Sequence, residues 1–168
     1  FLQLEGQSFS YASSRYEDDL TQWIVFDTLD QEAATLDFAR MPADAFKTWN
    51  LRINDRPGSI KLRWRENPDE WDYRRDEILV SMKPVWPSQR DQWSLQDGGK
   101  RYELAFRRQY EGLVWELSDD KGNTVLEIEN AHGLDPRDWN FTIDAALSDD
   151  LCLAAFFIVS RYSAGMTR

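Results

Sequence analysis

Cysteine, histidine and long apolar runs are all scarce in this 168-residue chain. It holds one cysteine, Cys152, and one histidine, His132. A lone cysteine rules out an internal disulfide framework and a multi-cysteine metal site, and it fits a reducing cytoplasm, the compartment expected here. His132 stands in "NAHGLD" with Asp135 close by, but no nucleophile motif such as G-x-S-x-G accompanies it. It reads as a loop residue. Neither a P-loop nor a dinucleotide fingerprint is present. No tract approaches the roughly 20 apolar residues of a spanning helix, and no period of about 20 to 50 residues recurs. Thirty acidic residues against twenty basic ones give a net charge of -10, which disfavours nucleic acid as a partner. With so many acids, any carboxylate pair nominated for acid/base work would be arbitrary. The expectation is a non-enzymatic protein of one domain, residues 1–168, without cofactor or metal.

What the chain does have is alternation. "QWIVFDT" (22–28), "ATLDFAR" (34–40), "WNLRIN" (49–54), "SIKLRWR" (59–65), "EILVSMK" (77–83), "RYELAFRR" (101–108), "GLVWELS" (112–118), "NTVLEIEN" (123–130) and "DWNFTID" (138–144) are rich in β-branched and aromatic residues. Adding "LQLEG", "FSYASS" and "QWSLQ" predicts about eleven or twelve strands. Turn signals separate several of them: "NDRPGS" with Pro57 and Gly58, "QDGGK", "QYEG" and "SDDKGN". Tyr102, Leu104 and Phe106 share one strand face and Arg101, Glu103 and Arg107 the other. Val125, Leu126 and Ile128 against Glu127 and Glu129 repeat the pattern with one slip. Such strands bury one face and wet the other.

One segment departs from this. "SDDLCLAAFFIVSRY" (148–162) contains nine consecutive apolar residues, Leu151 to Val159. Ser148 can cap a helix, Asp149 and Asp150 suit its positive N-terminal end, Arg161 sits near the other end, and Gly165 follows as a stop. Every face of that helix is apolar, so it needs cover all round. A closed barrel supplies it. The predicted fold is therefore mainly β, a closed antiparallel barrel of about twelve strands around a central apolar C-terminal helix. Phe156 and Phe157 fill opposite sides of its interior.

A "DWNFTID" strand, a small loop and the capped apolar helix "LSDDLCLAAFFIVSRY", after the hairpins of "YELAFRRQYEGLVWELSDDKGNTVLEIEN", resemble the end of the tubby-like domain. Tubby proteins, phospholipid scramblases and the plant LURP-one-related proteins share that domain. The resemblance covers residues 93–163 and implies a twelve-stranded barrel wrapped around a central helix. It also implies binding or scaffold roles, including phosphoinositide binding and calcium-linked scramblase activity. For calcium, Asp138, Asp144, Asp149 and Asp150 lie near the last strand and helix, but Arg137 and Trp139 interrupt their spacing and no EF-hand loop is completed. Asp149 and Asp150 read as helix-terminal charges.

Phosphate binding needs cations. Residues 47–65 carry Lys47, Arg52, Arg56, Lys61, Arg63 and Arg65 against Asp55 alone. Lys61, Arg63 and Arg65 alternate with Ile60, Leu62 and Trp64, which places the three cations on one strand face as the candidate ligand-binding residues for a phosphorylated lipid headgroup or other anion. The competing expectation is that they pair with the acidic run "ENPDEWDYRRDE". Peripheral membrane association would follow from lipid binding. Among the eight tryptophans, Trp23, Trp64 and Trp115 fit strand cores, whereas Trp71 in "PDEWDY" and Trp86 in "KPVWPS" fall in polar or proline-flanked loops. Trp71, Tyr73 and Trp86 are the candidate protein-partner surface. The alternative functional class is an acidic inhibitor or immunity-type protein that neutralises a basic partner, suggested by charge and loop aromatics.

Overall fold

The structure is a computed structural model that describes residues 8–16, 19–39, 48–109, 112–132, 135–144 and 146–163. Its elements in chain order are β1 (Phe9–Tyr16), β2 (Asp19–Asp27), β3 (Glu32–Phe38), β4 (Thr48–Ile53), β5 (Arg56–Leu62), β6 (Trp71–Arg75), β7 (Ile78–Pro84), β8 (Gln92–Asp97), β9 (Lys100–Gln109), β10 (Gly112–Ser118), β11 (Thr124–Asn130), β12 (Asp138–Ile143) and α1 (Asp149–Tyr162). Each strand pairs antiparallel with its neighbours in sequence, and β12 returns to β1, so the sheet closes into a twelve-stranded barrel. Closure removes both sheet edges.

Period-two patterning decides which residues enter the barrel. Trp23 and Val25 of β2, Leu51 and Ile53 of β4, Val80 and Met82 of β7, and Trp139 and Phe141 of β12 all face the interior. Connections between strands differ at the two ends. At one end β4–β5, β6–β7 and β8–β9 turn in two residues each, 54–55, 76–77 and 98–99. Asn54 and Asp55 both take positive φ, 47° and 68°, the left-handed pair that a tight twisted hairpin requires. At the other end the β5–β6 and β7–β8 connections, residues 63–70 and 85–91, are far longer.

The helix runs up the middle. Residues 150–160 and Tyr162 are buried around its whole circumference. Phe156 meets Trp23 edge-on at 5.1 Å and Phe141 at 5.4 Å. Phe157 meets Trp49 at 5.4 Å and Trp71 at 4.9 Å, so the two rings fill neighbouring sectors, one by β12 and β2 and the other by β4 and β6, and not the opposite sides expected, because consecutive residues of a helix point about 100° apart. Ser148 caps the helix, its Oγ accepting from the Leu151 N–H at 3.1 Å. Gly165, the expected stop, lies outside the described residues.

Polar contacts hold both helix ends, and β6 contributes to each. Near the start, Asp150 is buried, and Arg75 grips its carboxylate with Nε at 2.6 Å and Nη2 at 2.8 Å while Tyr73 Oη donates to it at 2.6 Å. Near the end, Tyr162 Oη accepts from Trp71 Nε1 at 3.0 Å and donates to Asp69 Oδ1 at 3.1 Å. Arg90 pairs with Asp69 at 3.3 Å, and Ser163 Oγ accepts from Trp115 Nε1 at 3.0 Å. β6 thus lies antiparallel to α1, with Trp71 beside one terminus and Arg75 beside the other.

Several expectations need correction. The stretch around "EWDYRRDE" is not a loop: Trp71, Tyr73 and Arg75 point in while Asp72 and Arg74 point out, which makes β6 a strand of the wall. Strand 59–65 is displaced to Arg56–Leu62, because the turn falls on Asn54 and Asp55 instead of Pro57 and Gly58. Gly58 is needed there for another reason, since a Cβ on it would lie 2.6 Å from the Arg74 carbonyl oxygen and 3.0 Å from Arg75 Cβ. The slip read at Val125 is a β-bulge, the register passing from Leu117↔Leu126 to Ser118↔Thr124. "LQLEG" and Lys47 lie outside the described residues.

Breaking the Asp150–Arg75 pair leaves a charge buried without its partner. Asp150→Ala is therefore expected to lower unfolding free energy by about 3–5 kcal/mol in urea titration. Burial and the neighbouring Asp150 charge raise the Asp149 carboxyl above its usual range, so its ionised form opposes folding at neutral pH and Asp149→Asn should raise stability in the same assay. Burial also pushes the Tyr162 phenol up to about 12 from 10.0. A raised folded value favours the native state below the unfolded value and is lost above it, so stability should fall between about pH 10 and 12. Tyr162→Phe should shallow that fall; an unchanged alkaline slope would exclude this assignment.

Candidate functional site

The inward face of the wall is committed to the helix, so chemistry directed at a ligand belongs to the outward face. On β5, β6 and β7 the outward positions include Lys61, Asp72, Arg74, Leu79, Ser81 and Lys83. Three cations face one carboxylate there. Lys61, Arg74 and Lys83 are exposed, and none has an ion-pair partner among the described residues. Asp72 lies directly across the ladder from Lys61, yet its carboxylate turns elsewhere, to Ser81 Oγ at 3.3 Å and Arg63 Nε at 3.9 Å.

The predicted trio of Lys61, Arg63 and Arg65 is only partly brought together. β5 ends at Leu62, so strict alternation places Lys61 alone on the strand. Arg63 follows through one further backbone bond, its N–H donating to the Glu70 carbonyl at 3.0 Å. Its guanidinium, half-exposed, also sits 5.7 Å from the Trp64 ring centroid. Arg65 is exposed on the connection beyond the strand.

Beside Arg63 the wall is indented. A recess of about 180 Å³ opens across β6, β7 and β8, bordered by Arg63, Glu70 and Lys83 and lined by Ser81, Ser94 and Gln96. The indentation arises because Ser81 and Ser94 are short where neighbouring outward positions carry long side chains. A larger cleft of about 510 Å³ adjoins the long connections, with Pro68, Pro84, Val85 and Pro87 among its walls.

The partner-surface prediction divides. Trp71 and Tyr73 are 1% and 0% exposed, inside the barrel against the helix, and cannot meet a partner. Trp86 is 59% exposed on the β7–β8 connection. Trp64, expected in a strand core, is instead 53% exposed, because β5 ends two residues before it. Trp64 and Trp86 thus stand on the two long connections at one end of the barrel. His132 lies in the β11–β12 connection, where its carbonyl accepts from the Asp135 N–H at 3.0 Å. Asp135 itself is gripped by Arg137, whose side-chain hydrogen bond holds the carboxyl at about 2. Among the described residues no group of acidic, histidine or cysteine side chains is arranged to hold a metal ion.

Reasoning from sequence missed Arg74, Ser81, Lys83 and Ser94. Arg74 was lost with β6. The other signals were visible: "SMK" and "WSLQ" place two serines and a lysine on the wet faces of consecutive strands, and short wet-face residues are what make a dent.

Six of the eight tryptophans are buried and two are exposed. Trp64→Phe with Trp86→Phe should therefore remove most of the acrylamide-quenchable fluorescence. Trp71→Phe should leave the quenchable fraction intact; the reverse result would misplace β6.

No family model matches this chain, and neither any curated protein nor any solved structure matches it.

Proposed function

We propose that this protein is a non-enzymatic binding module of the tubby-like type, which takes a phosphorylated lipid or other anion on the outer wall of β5–β7. The observation that carries the reading is the set of outward cations Lys61, Arg74 and Lys83 on three consecutive strands, without ion-pair partners among the described residues. In a chain with thirty acids and twenty bases, carboxylates are abundant enough to neutralise such a group. Leaving it open keeps a local positive field on a negative molecule, which attracts anions within about a Debye length. Arg63 extends the patch, held at the end of β5 with its guanidinium half in solvent. The closed barrel and its enclosed terminal helix are compatible with a tubby-like domain and support that kinship by architecture alone.

The rigid wall suits binding better than turnover. Strand positions fix the cations at ladder spacing. Juxtamembrane cations contribute about 1 kcal/mol each at an anionic surface. Lys61→Glu with Arg63→Glu should therefore weaken co-sedimentation with phosphoinositide-containing vesicles at least ~30-fold, the equivalent of about 2 kcal/mol. Raising salt should weaken the parent protein in the same direction. Parent protein that ignores these vesicles, or a charge-reversed variant that binds them equally well, would remove the reading.

A further inference from the structure

We infer that the outer face of β1 and β2, with the hairpin that follows β2, is a contact surface for a second copy of this chain, the two copies lying antiparallel about a two-fold axis. The inference is independent of the anion reading. It starts from outward residues that the helix does not use. Tyr11, Ile24 and Phe26 are half-buried and belong neither to the core nor to the side chains packed against it, whereas Trp23 and Val25 beside them point in. Tyr11 and Phe26 stack at 4.8 Å. The ladder surrounds them with Asn140, Ser13 and Thr35, through the pairs Tyr11↔Asn140, Ser13↔Ile24 and Ile24↔Thr35. In a chain that is 30% charged, these six positions on four adjoining strands carry no charge. Asp138, at their margin on β12, already accepts from Ser13 Oγ at 2.7 Å. The apolar stripe continues to both ends of the barrel: Tyr16, 53% exposed, closes β1, and Leu29, 55% exposed, sits on the β2–β3 hairpin. An apolar stripe rimmed by polar residues marks a surface of association.

The charges at the two ends of the stripe select the occupant. Arg15 is exposed at the Tyr16 end. Asp30 and Glu32 are exposed at the Leu29 end, with Glu32 directly across the ladder from Phe26. Turning a second copy about an axis that lies in the contact plane and crosses the strands sets each Arg15 against the other copy's Asp30 and Glu32, and lays apolar middle on apolar middle. A two-fold contact has to be self-complementary in this way. Each copy carries a net charge of -10, so two copies repel at a distance, and an uncharged middle with opposite charges at its ends lowers that cost where they touch. About three strands by about ten residues is about 15 by 33 Å, on the order of 500 Å² from each copy. That lies at the low end for specific association, so the expected dimer is a micromolar one. Pairing through β1 and β2 leaves β5–β7 open, since β3 and β4 lie between.

Sedimentation velocity on the 168-residue chain, from about 1 μM to about 1 mM so as to bracket that affinity, should show the sedimentation coefficient rise from monomer to dimer. Ile24→Lys and Leu29→Lys should each weaken association at least tenfold. Arg15→Glu and Glu32→Arg should each weaken it at least fivefold. Combined in one chain they should restore it to within threefold of the parent, because the exchanged charges meet again across the axis. Lys121→Glu, in the β10–β11 turn, alters the net charge as much as Arg15→Glu does and should leave association unaffected. Near-UV circular dichroism checks that each variant is folded. Leu29, exposed on its hairpin, carries the apolar test should Ile24→Lys unfold the chain. A chain that stays monomeric throughout, a dimer indifferent to the folded lysine variants, or a double charge variant as weak as either single one would overturn the inference.

Discussion

A helix with no wet side is the constraint from which the rest of the molecule follows. Residues 151–159 offer no face to water, so a single sheet laid against them would leave half their apolar surface exposed, with the loss of roughly 25 cal/mol for each Å². Only a wall that returns on itself covers such a rod. The twelve strands meet that demand by pairing with their neighbours in order and joining β12 to β1. The same constraint sets the interior chemistry of the wall. Inward positions are filled by Trp23, Trp49, Trp71, Trp93, Trp115 and Trp139, large rings that span the gap between strand and helix. Small interior residues fall on the helix at Ala154 and Ala155 and on the wall at Ala12 and Ala34.

Apolar packing alone sets the depth of a greasy rod in a greasy tube poorly, because sliding by one turn would exchange one set of hydrophobic contacts for another. The polar ends remove that freedom. Asp150 is satisfied only where Arg75 and Tyr73 reach it, and Tyr162 only beside Trp71 and Asp69. A shift of one turn, about 5.4 Å, would strip both sets of partners and leave buried groups unpaired. Buried ionic contacts are weak evidence for net stability and better evidence for a registered position. That one five-residue strand supplies Trp71 at one end and Tyr73 and Arg75 at the other makes β6 the main gauge against which the helix is seated, with Asp69 just ahead of it.

The fold was legible in the sequence because its two signals are strong and independent: alternation of apolar and polar residues along short strands, and an apolar run ended by a capping serine and acidic residues. What stayed hidden was hidden for physical reasons. β6 reads as a loop because its neighbours are Asp, Glu and Pro, and because Arg75, on the inward face, breaks the apolar pattern. Its charge makes sense only once Asp150 stands opposite, a contact between residues 75 apart in sequence. Trp64 misled in the opposite sense. Alternation continues through "KLRWR" on paper, but the ladder ends at Leu62, and nothing in the local sequence marks that end. The outer recess depends on which strands stand side by side, so Ser81 and Ser94 acquire meaning only after β7 and β8 are paired, Lys83 opposite Ser94.

The charge pattern can be followed one step further. In a barrel whose interior is prescribed by a helix, alternate residues of every strand are released from packing, and their identity is limited mainly by solubility and by cross-strand neighbours. Solubility is already served by a net charge of -10. On β9 and β10 cross-strand neighbours are matched in the ordinary way, Arg107 reaching Glu116 at 2.8 Å. Asp72 could match Lys61 directly across the ladder in the same manner, yet its carboxylate is drawn to Ser81 and Arg63. Lys61 is thereby left without the partner that geometry offers, while Arg74 and Lys83 on the next two strands face Leu79 and Ser94 across the ladder and no carboxylate. Exposed Arg52 on β4 and Lys100 and Arg101 on β9 also lack an ion-pair partner among the described residues, so what sets the β5–β7 sector apart is the placement of Lys61, Arg74 and Lys83 on three consecutive strands.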